Sequence, residues 1–192
     1  MKKLSLSAAV SAAMLLATGS VNAADYVIDT KDAHAFVNFK INHLGYSWLL
    51  GRFNTFDGKF SYDANNPDAS QITVNIDTKS IDSNHAERDK HLRSKDFLNV
   101  AKFPTATFKS TSVKFDDADS AHVTGDFTLH GVTKTITFEI DKIGEGKDPW
   151  GGYRVGFEGE TRLKLADYGI DYNLGPASTH VDIGLYIEGI RQ

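Results

Sequence analysis

The stretch Asn84 to Asn99, NHAERDKHLRSKDFLN, gathers the residue types best able to do chemistry. It holds His85 and His91, two of the seven histidines, together with Glu87, Arg88, Asp89, Lys90, Arg93 and Lys95. Such a set could ligate a metal ion, move a proton or bind an anion. Asn84, followed three residues later by Glu87, has the form of an N-cap with its acidic partner, so a helix is predicted to begin there. On a helix His85 and His91, six positions apart, stand about 240° from one another by the 3.6-residue period, which keeps them from sharing one metal. Glu87 and His91, four apart, do share a face. That pair is incomplete as a metal site unless the fold brings up His43 or His130, and no metal is assigned. The charged run itself reads most simply as a solvated helix face. The functional alternative puts His85, Arg88 and His91 at the mouth of a cavity, where the forked donors of arginine would meet a polar or phosphorylated head group. Phe97 and Leu98 would then form the apolar side of the insert.

Other candidates are sparser. His43, Tyr46 and Trp48 cluster just after the first long strand and read either as a binding rim or as a packed loop. Trp150, in Asp148-Pro149-Trp150-Gly151-Gly152, reads either as a cap on the opposite barrel end or, more simply, as a loop anchor. Ser47 and Ser83 would matter as nucleophiles only with a histidine beside them. The chain has no G-x-S-x-G, no H-E-x-x-H, no phosphate-binding glycine loop and no cysteine. No catalytic residue and no cofactor is therefore assigned.

The elements that must position these residues are strands. Ile72, Val74 and Ile76 alternate with Thr73, Asn75 and Asp77, the pattern of a half-buried strand. The same alternation runs through Ala35 to Ile41, Phe56 to Tyr62, Ala106 to Ser110, Val123 to Leu129, Ile136 to Ile140, Val155 to Leu165 and Val181 to Ile187, giving eight strands. Their connections carry turn chemistry at Asp63 to Ser70, Asp116 to Ser120, His130-Gly131 and the glycine-rich Gly144 to Gly152. Short links make consecutive strands antiparallel. An all-β, eight-stranded antiparallel barrel with a short helical insert is predicted, the long segments after Gly152 and Thr179 favouring a closed barrel over a sandwich. Such a barrel either fills with side chains or holds one small ligand, as lipocalins do. Gly58, Gly125, Gly159 and Thr161 share faces with phenylalanines, which either leaves room between aromatic walls or reflects ordinary taper packing.

Lys2 and Lys3, the apolar stretch Leu4 to Leu16 and the small residues of Val21-Asn22-Ala23 have the form of a secretory leader, with cleavage expected after Ala23 and one domain over 24–192. Without Lys2 and Lys3, 19 basic residues face 25 acidic ones, a formal charge of about −6. That sign argues against nucleic acid or an anionic membrane surface as a partner, since both are bound through basic patches. No later apolar run reaches the roughly 20 residues of a spanning helix, so an integral membrane protein is not expected. With no cysteine, neither disulfides nor thiolate metal sites are available.

Five segments together carry a family resemblance: His43 to Trp48, Asn84 to Arg93, Phe103-Pro104-Thr105-Ala106-Thr107-Phe108, Leu129-His130-Gly131-Val132-Thr133-Lys134, and Asp148 to Gly152. In order and spacing, over nearly all of the chain after the leader, the sequence resembles the YceI family of bacterial exported proteins. Thr135 stands where proline is common in that family, a change confined to one turn. The resemblance implies a lipocalin-like barrel in the periplasm that binds a long polyisoprenoid lipid without catalysis. Taken with the readings above, the lipid head is expected near His43, Tyr46, Trp48, His85, Arg88 and His91. The tail would run along Val37, Phe39, Ile41, Phe60, Ile76, Phe108, Phe127, Phe138, Phe157, Ile183 and Leu185. A homodimer is compatible with such barrels. The competing expectation is an enzyme or metal-dependent protein acting on an isoprenoid through the histidine-bearing insert.

Overall fold

The structure, a computed structural model, describes residues 23–192. The expected leader therefore lies, but for Ala23, outside the described residues. Eleven strand segments form: β1 Ala24–Ile28, β2 Phe36–His43, β3 Ser47–Phe53, β4 Phe56–Tyr62, β5 Gln71–Asp77, β6 Ile81–Asp82, β7 Thr105–Phe115, β8 Ser120–Leu129, β9 Val132–Lys147, β10 Tyr153–Lys164 and β11 His180–Arg191. One α-helix, α1 (Ala86–Leu92), follows β6.

Eight of these strands close into an antiparallel ring, in the order β1-β4-β5-β7-β8-β9-β10-β11, with β11 returning to β1. The barrel is as expected; its membership is not. The alternation put the segment now called β2 into the ring, whereas β1 completes it. The long β11 serves two neighbours on one edge: Gly189, Ile190 and Arg191 pair with β1, while Val181 to Tyr186 pair with β2. β2 then carries β3, and β3 carries the two residues of β6. The barrel is thus extended at one end by a β2–β3–β6 flap.

Periodicity hid β1 and β3 for a physical reason. Both faces of each carry apolar residues. In β3, Leu49, Gly51 and Phe53 turn inward while Trp48 and Leu50 stay exposed, and in β1 the exposed Val27 separates buried Tyr26 and Ile28. The glycine-rich segment also differs from expectation. β9 runs on through Gly144 and Gly146 to Lys147, absorbing an irregularity opposite Gly156 and Phe157, and only the residues around Pro149 turn. There the Asp148 carboxylate accepts from the amides of Trp150 and Gly152, so Asp148 anchors the turn and Trp150 stays 76% exposed. His130 and Gly131 both adopt positive φ, giving the two-residue hairpin that the sequence announced.

The inward glycines seat aromatic rings. A Cβ on Gly125 would lie 2.5 Å from the Phe108 ring, and one on Gly51 would lie 2.3 Å from the Phe39 ring. These glycines are places where a neighbouring ring lies against the backbone, so at Gly125 the taper-packing alternative holds rather than open room. Gly125→Ala is expected to cost about 1–3 kcal/mol in a urea unfolding experiment, because the new Cβ would also lie 2.5 Å from the Lys109 carbonyl oxygen, which the β7–β8 pairing holds in place.

Candidate functional site

The barrel interior is a cavity of about 390 Å³, within the size range of small-molecule sites. It follows the strands: Phe157, Gly159, Thr161 and Leu163 of β10 and Val181, Ile183, Leu185 and Ile187 of β11 all line it. Its polar lining residues gather mostly towards the ends. His43, Arg88 and His91 stand at one end, and Ser61, Tyr62 and Ser70 at the other. A second cavity of about 230 Å³, lined by His43, Ser47, Trp48, Leu49, Leu50 and Arg88, shares three of these residues with the first and forms a polar vestibule beside it. We refer to this end as the mouth.

All eleven residues expected along a tail, Val37, Phe39, Ile41, Phe60, Ile76, Phe108, Phe127, Phe138, Phe157, Ile183 and Leu185, line the cavity. Of the six expected at the mouth, His43, Arg88 and His91 line it, and Trp48 lines the vestibule. Tyr46 does not; it stands 86% exposed at the tip of the β2–β3 hairpin. His85 does not either. Its Nδ1 accepts from the Arg88 amide at 3.2 Å, making His85 itself the N-cap of α1. The helix therefore starts one residue later than the sequence pattern suggested, because Asn84 takes a left-handed φ of 61° and leaves the cap to its neighbour.

Of the charged run, Glu87 and Lys90 are exposed as expected, while Arg88, Asp89 and Arg93 are tied to neighbouring segments. Asp89 is buried and accepts from the amide and hydroxyl of Ser83 at 2.8 and 2.5 Å. Arg88 donates through Nε to Ser83 Oγ and through Nη2 to the Ser83 carbonyl. Arg93 donates to the carbonyls of Lys79 and Ile81. These bonds tie a seven-residue helix, too short to persist alone, to the rim of the barrel. Ser83 is thereby committed to Asp89 and Arg88, with no histidine as partner. Asp89→Ala would leave two buried donors of Ser83 without an acceptor, at a cost of about 2 kcal/mol. Amide hydrogen exchange over residues 83–93 should then accelerate before that of the ring strands.

The sequence missed two contributors to this end. Leu49 and Phe53 of β3 and Ile170 and Leu174 of the β10–β11 connection all face the cavity. His91 meets Phe97 and Tyr172 edge-on, with centroids 4.9 and 5.2 Å away, so a three-ring cluster closes over the lining. The connection holds Leu165, Ile170 and Leu174 with no regular period, and sparse apolar residues in a polar loop were the only available signal.

At the opposite end lies a separate charge network. Asp29, 1% exposed, accepts from Arg154 Nη1 at 2.7 Å, from the Asp32 amide and from His34, and Arg154 also binds Glu188 and Asp148. Burial pushes the Asp29 carboxyl up, but the bonds from His34, Arg154 and Asp32 outweigh it and hold the group below its ordinary value. The bond to Asp29 raises His34, and the bond from Arg154 lowers Asp148. Among the described residues, Asp29, His34 and Glu188 are the one set of three such side chains close enough to surround a metal. Both carboxylates already face a guanidinium, so the charge a metal would supply is present. Glu87 and His91 belong to no such set among the described residues.

With barrel, cavity and mouth in view, the relationship to known proteins is direct. Residues 7–189 match the YceI-like domain. The chain belongs to the YceI family. Across that family it is 60% identical over its whole length to the whole of a UPF0312 protein of Azotobacter vinelandii. It is 58% identical over 181 residues, 94% of each chain, to Protein YceI of Escherichia coli. Among solved structures it is similar to a polyisoprenoid binding domain from Saccharophagus degradans, with a TM-score of 0.63 at 18% identity over 88% of this chain and 99% of that one. At that identity the likeness is one of fold alone.

Proposed function

We propose that this YceI-family chain is a non-catalytic periplasmic carrier that encloses the tail of a long polyisoprenoid lipid. The carrying observation is the cavity itself: an almost wholly apolar lining that follows the strands, with Arg88, His91 and His43 collected at the mouth. A branched apolar chain gains about 25 cal/mol for each Å² it removes from water, and the lining offers few polar groups that would have to lose hydration in exchange. At the mouth, two of the nitrogens of Arg88 are held by Ser83, which aims the guanidinium at the vestibule for a polar head. The polyisoprenoid binding domain of Saccharophagus degradans shares the fold and supports the ligand class. The basic and apolar residues before Ala23 support export. Among the described residues no helix is long and apolar enough to cross a membrane.

Mass spectrometry of organic extracts from protein purified from the periplasm tests the reading. An isoprenoid at near-stoichiometric yield is the expected result. Delipidated protein that takes up no long isoprenoid would sink it.

A further inference from the structure

We infer that the β2–β3 hairpin is a docking surface for an anionic phospholipid bilayer, through which the cavity exchanges its ligand. The inference rests on the lipid-carrier reading and adds to it where that exchange occurs. Leu44, Tyr46, Trp48 and Leu50 fall within seven residues and are all exposed, Tyr46 by 86%, Leu50 by 65% and Trp48 by 54%. Isolated exposed apolar residues are ordinary, but four on one projecting hairpin form a patch that water disfavours. Leu44 and Gly45 both take positive φ, which turns the tip sharply and holds Tyr46 outward.

Three further observations select a bilayer. First, Trp48 and Leu50 also line the vestibule that shares His43, Leu49 and Arg88 with the main cavity, so the patch is continuous with the mouth. A ligand that water cannot dissolve has to pass from bilayer to cavity there. Second, β2 and β3 carry cations and no acids of their own, with Asp82 of β6 opposite Arg52. Between Phe36 and Asn54 the chain has Lys40, His43 and Arg52 and neither aspartate nor glutamate, although it holds 25 acidic residues in all. Lys40, shared with Asp182, lies 5.1 Å from the Trp48 ring centre. Local positive charge suits anionic head groups despite the acidic whole. Third, tyrosine and tryptophan are the side chains that settle at the boundary between head groups and acyl chains. A second copy of this chain would instead seek the outer edge of β3, where only Arg52 and Phe53 are paired to β6.

The two tryptophans make the test internal, since Trp150 is more exposed than Trp48 but lies on the β9–β10 turn at the far end of β10. A chain beginning at Ala24 keeps every described strand and α1. In that chain Trp150→Phe leaves Trp48 as sole reporter, and Trp48→Phe leaves Trp150. Vesicles of phosphatidylethanolamine and phosphatidylglycerol, free of isoprenoid, are then added. Expected are a blue shift of Trp48 emission, its quenching by brominated phospholipid, and no change in Trp150. Leu44→Glu with Tyr46→Glu, both exposed at the hairpin tip and lining neither cavity, should weaken vesicle binding about tenfold or more while leaving isoprenoid uptake in detergent intact. A Trp48 that ignores vesicles, or a Trp150 that responds equally, overturns the inference. So does a Trp48 shift that appears without vesicles as protein concentration rises, which would mark the hairpin as a self-association face. Because the vesicles lack isoprenoid, a failure here leaves the carrier reading standing, and failure of the extraction experiment leaves this one measurable.

Discussion

Arg154→Met is expected to destabilise the protein by about 3–5 kcal/mol, a large share of the 5–15 kcal/mol that holds an ordinary domain together. The cost arises from what remains. Asp29 keeps its buried carboxylate at the β1 end of the barrel, and the guanidinium that also gathers Asp148 and Glu188 is gone. Methionine replaces the aliphatic stem, so packing changes little. A double variant with Asp29→Asn should recover part of the loss, since the uncompensated charge rather than the missing cation dominates it. Urea unfolding across pH adds a signature. Asp29 and Asp148 have lowered folded-state values, so their contribution is present above the ordinary carboxylate value of 3.8 and fades as pH falls through the folded one. His34 is raised, so its contribution is present below the ordinary 6.5 and fades as pH rises through the folded value. Arg154 now holds His34 down by repulsion, and its removal lets His34 stay protonated further and stand in for part of the lost charge. The penalty of Arg154→Met should therefore be larger near about pH 8 than near about pH 6. A penalty independent of pH would mean that His34 takes no part.

Thr161→Trp is expected to abolish retention of an apolar ligand while the barrel remains folded. Thr161 lines the cavity from the C-terminal part of β10, opposite Ile183. An indole placed there occupies part of a cavity of only about 390 Å³. Each CH₂ kept out forfeits about 0.8 kcal/mol, so excluding one five-carbon unit removes about 4 kcal/mol, and retention should fall by roughly a hundredfold or more. The lipid-to-protein ratio in organic extracts measures the effect. An unchanged unfolding midpoint in the ligand-free protein separates blockage from misfolding. Undiminished lipid in a well-folded variant would place the tail outside the barrel.

Where side chains alternate cleanly, sequence and structure agree. Along β5, Ile72, Val74 and Ile76 face inward and their neighbours outward, since a one-residue slip would expose the whole set. That rule sufficed to find eleven cavity-lining residues. It failed at β3, where Trp48 and Leu50 make the solvent face apolar as well, and the strand passed for a loop. If the hairpin serves a bilayer, the same residues that obscured the strand are the ones that carry its role. The insert failed differently. Arg88, Asp89 and Arg93 have the composition of a solvated face, yet Ser83 and the carbonyls of Lys79 and Ile81 hold them. Those partners lie only 5 to 14 residues away, but the chain meets them after the turn at Thr78–Ser80 and β6 redirect it.

By itself the sequence determined the antiparallel barrel, the helical insert and which side chains face the interior, because period-two burial and turn chemistry are local properties of the chain. Tertiary structure alone decided that β1 rather than β2 closes the ring, since β11 is long enough to offer its edge to both. It also decided that His91, Arg88 and His43 share one mouth while His85 is spent on a cap. Closure and convergence depend on pairings between residues more than a hundred positions apart, such as Val181 with Ile41 and Ile28 with Gly189. No local pattern carries that information.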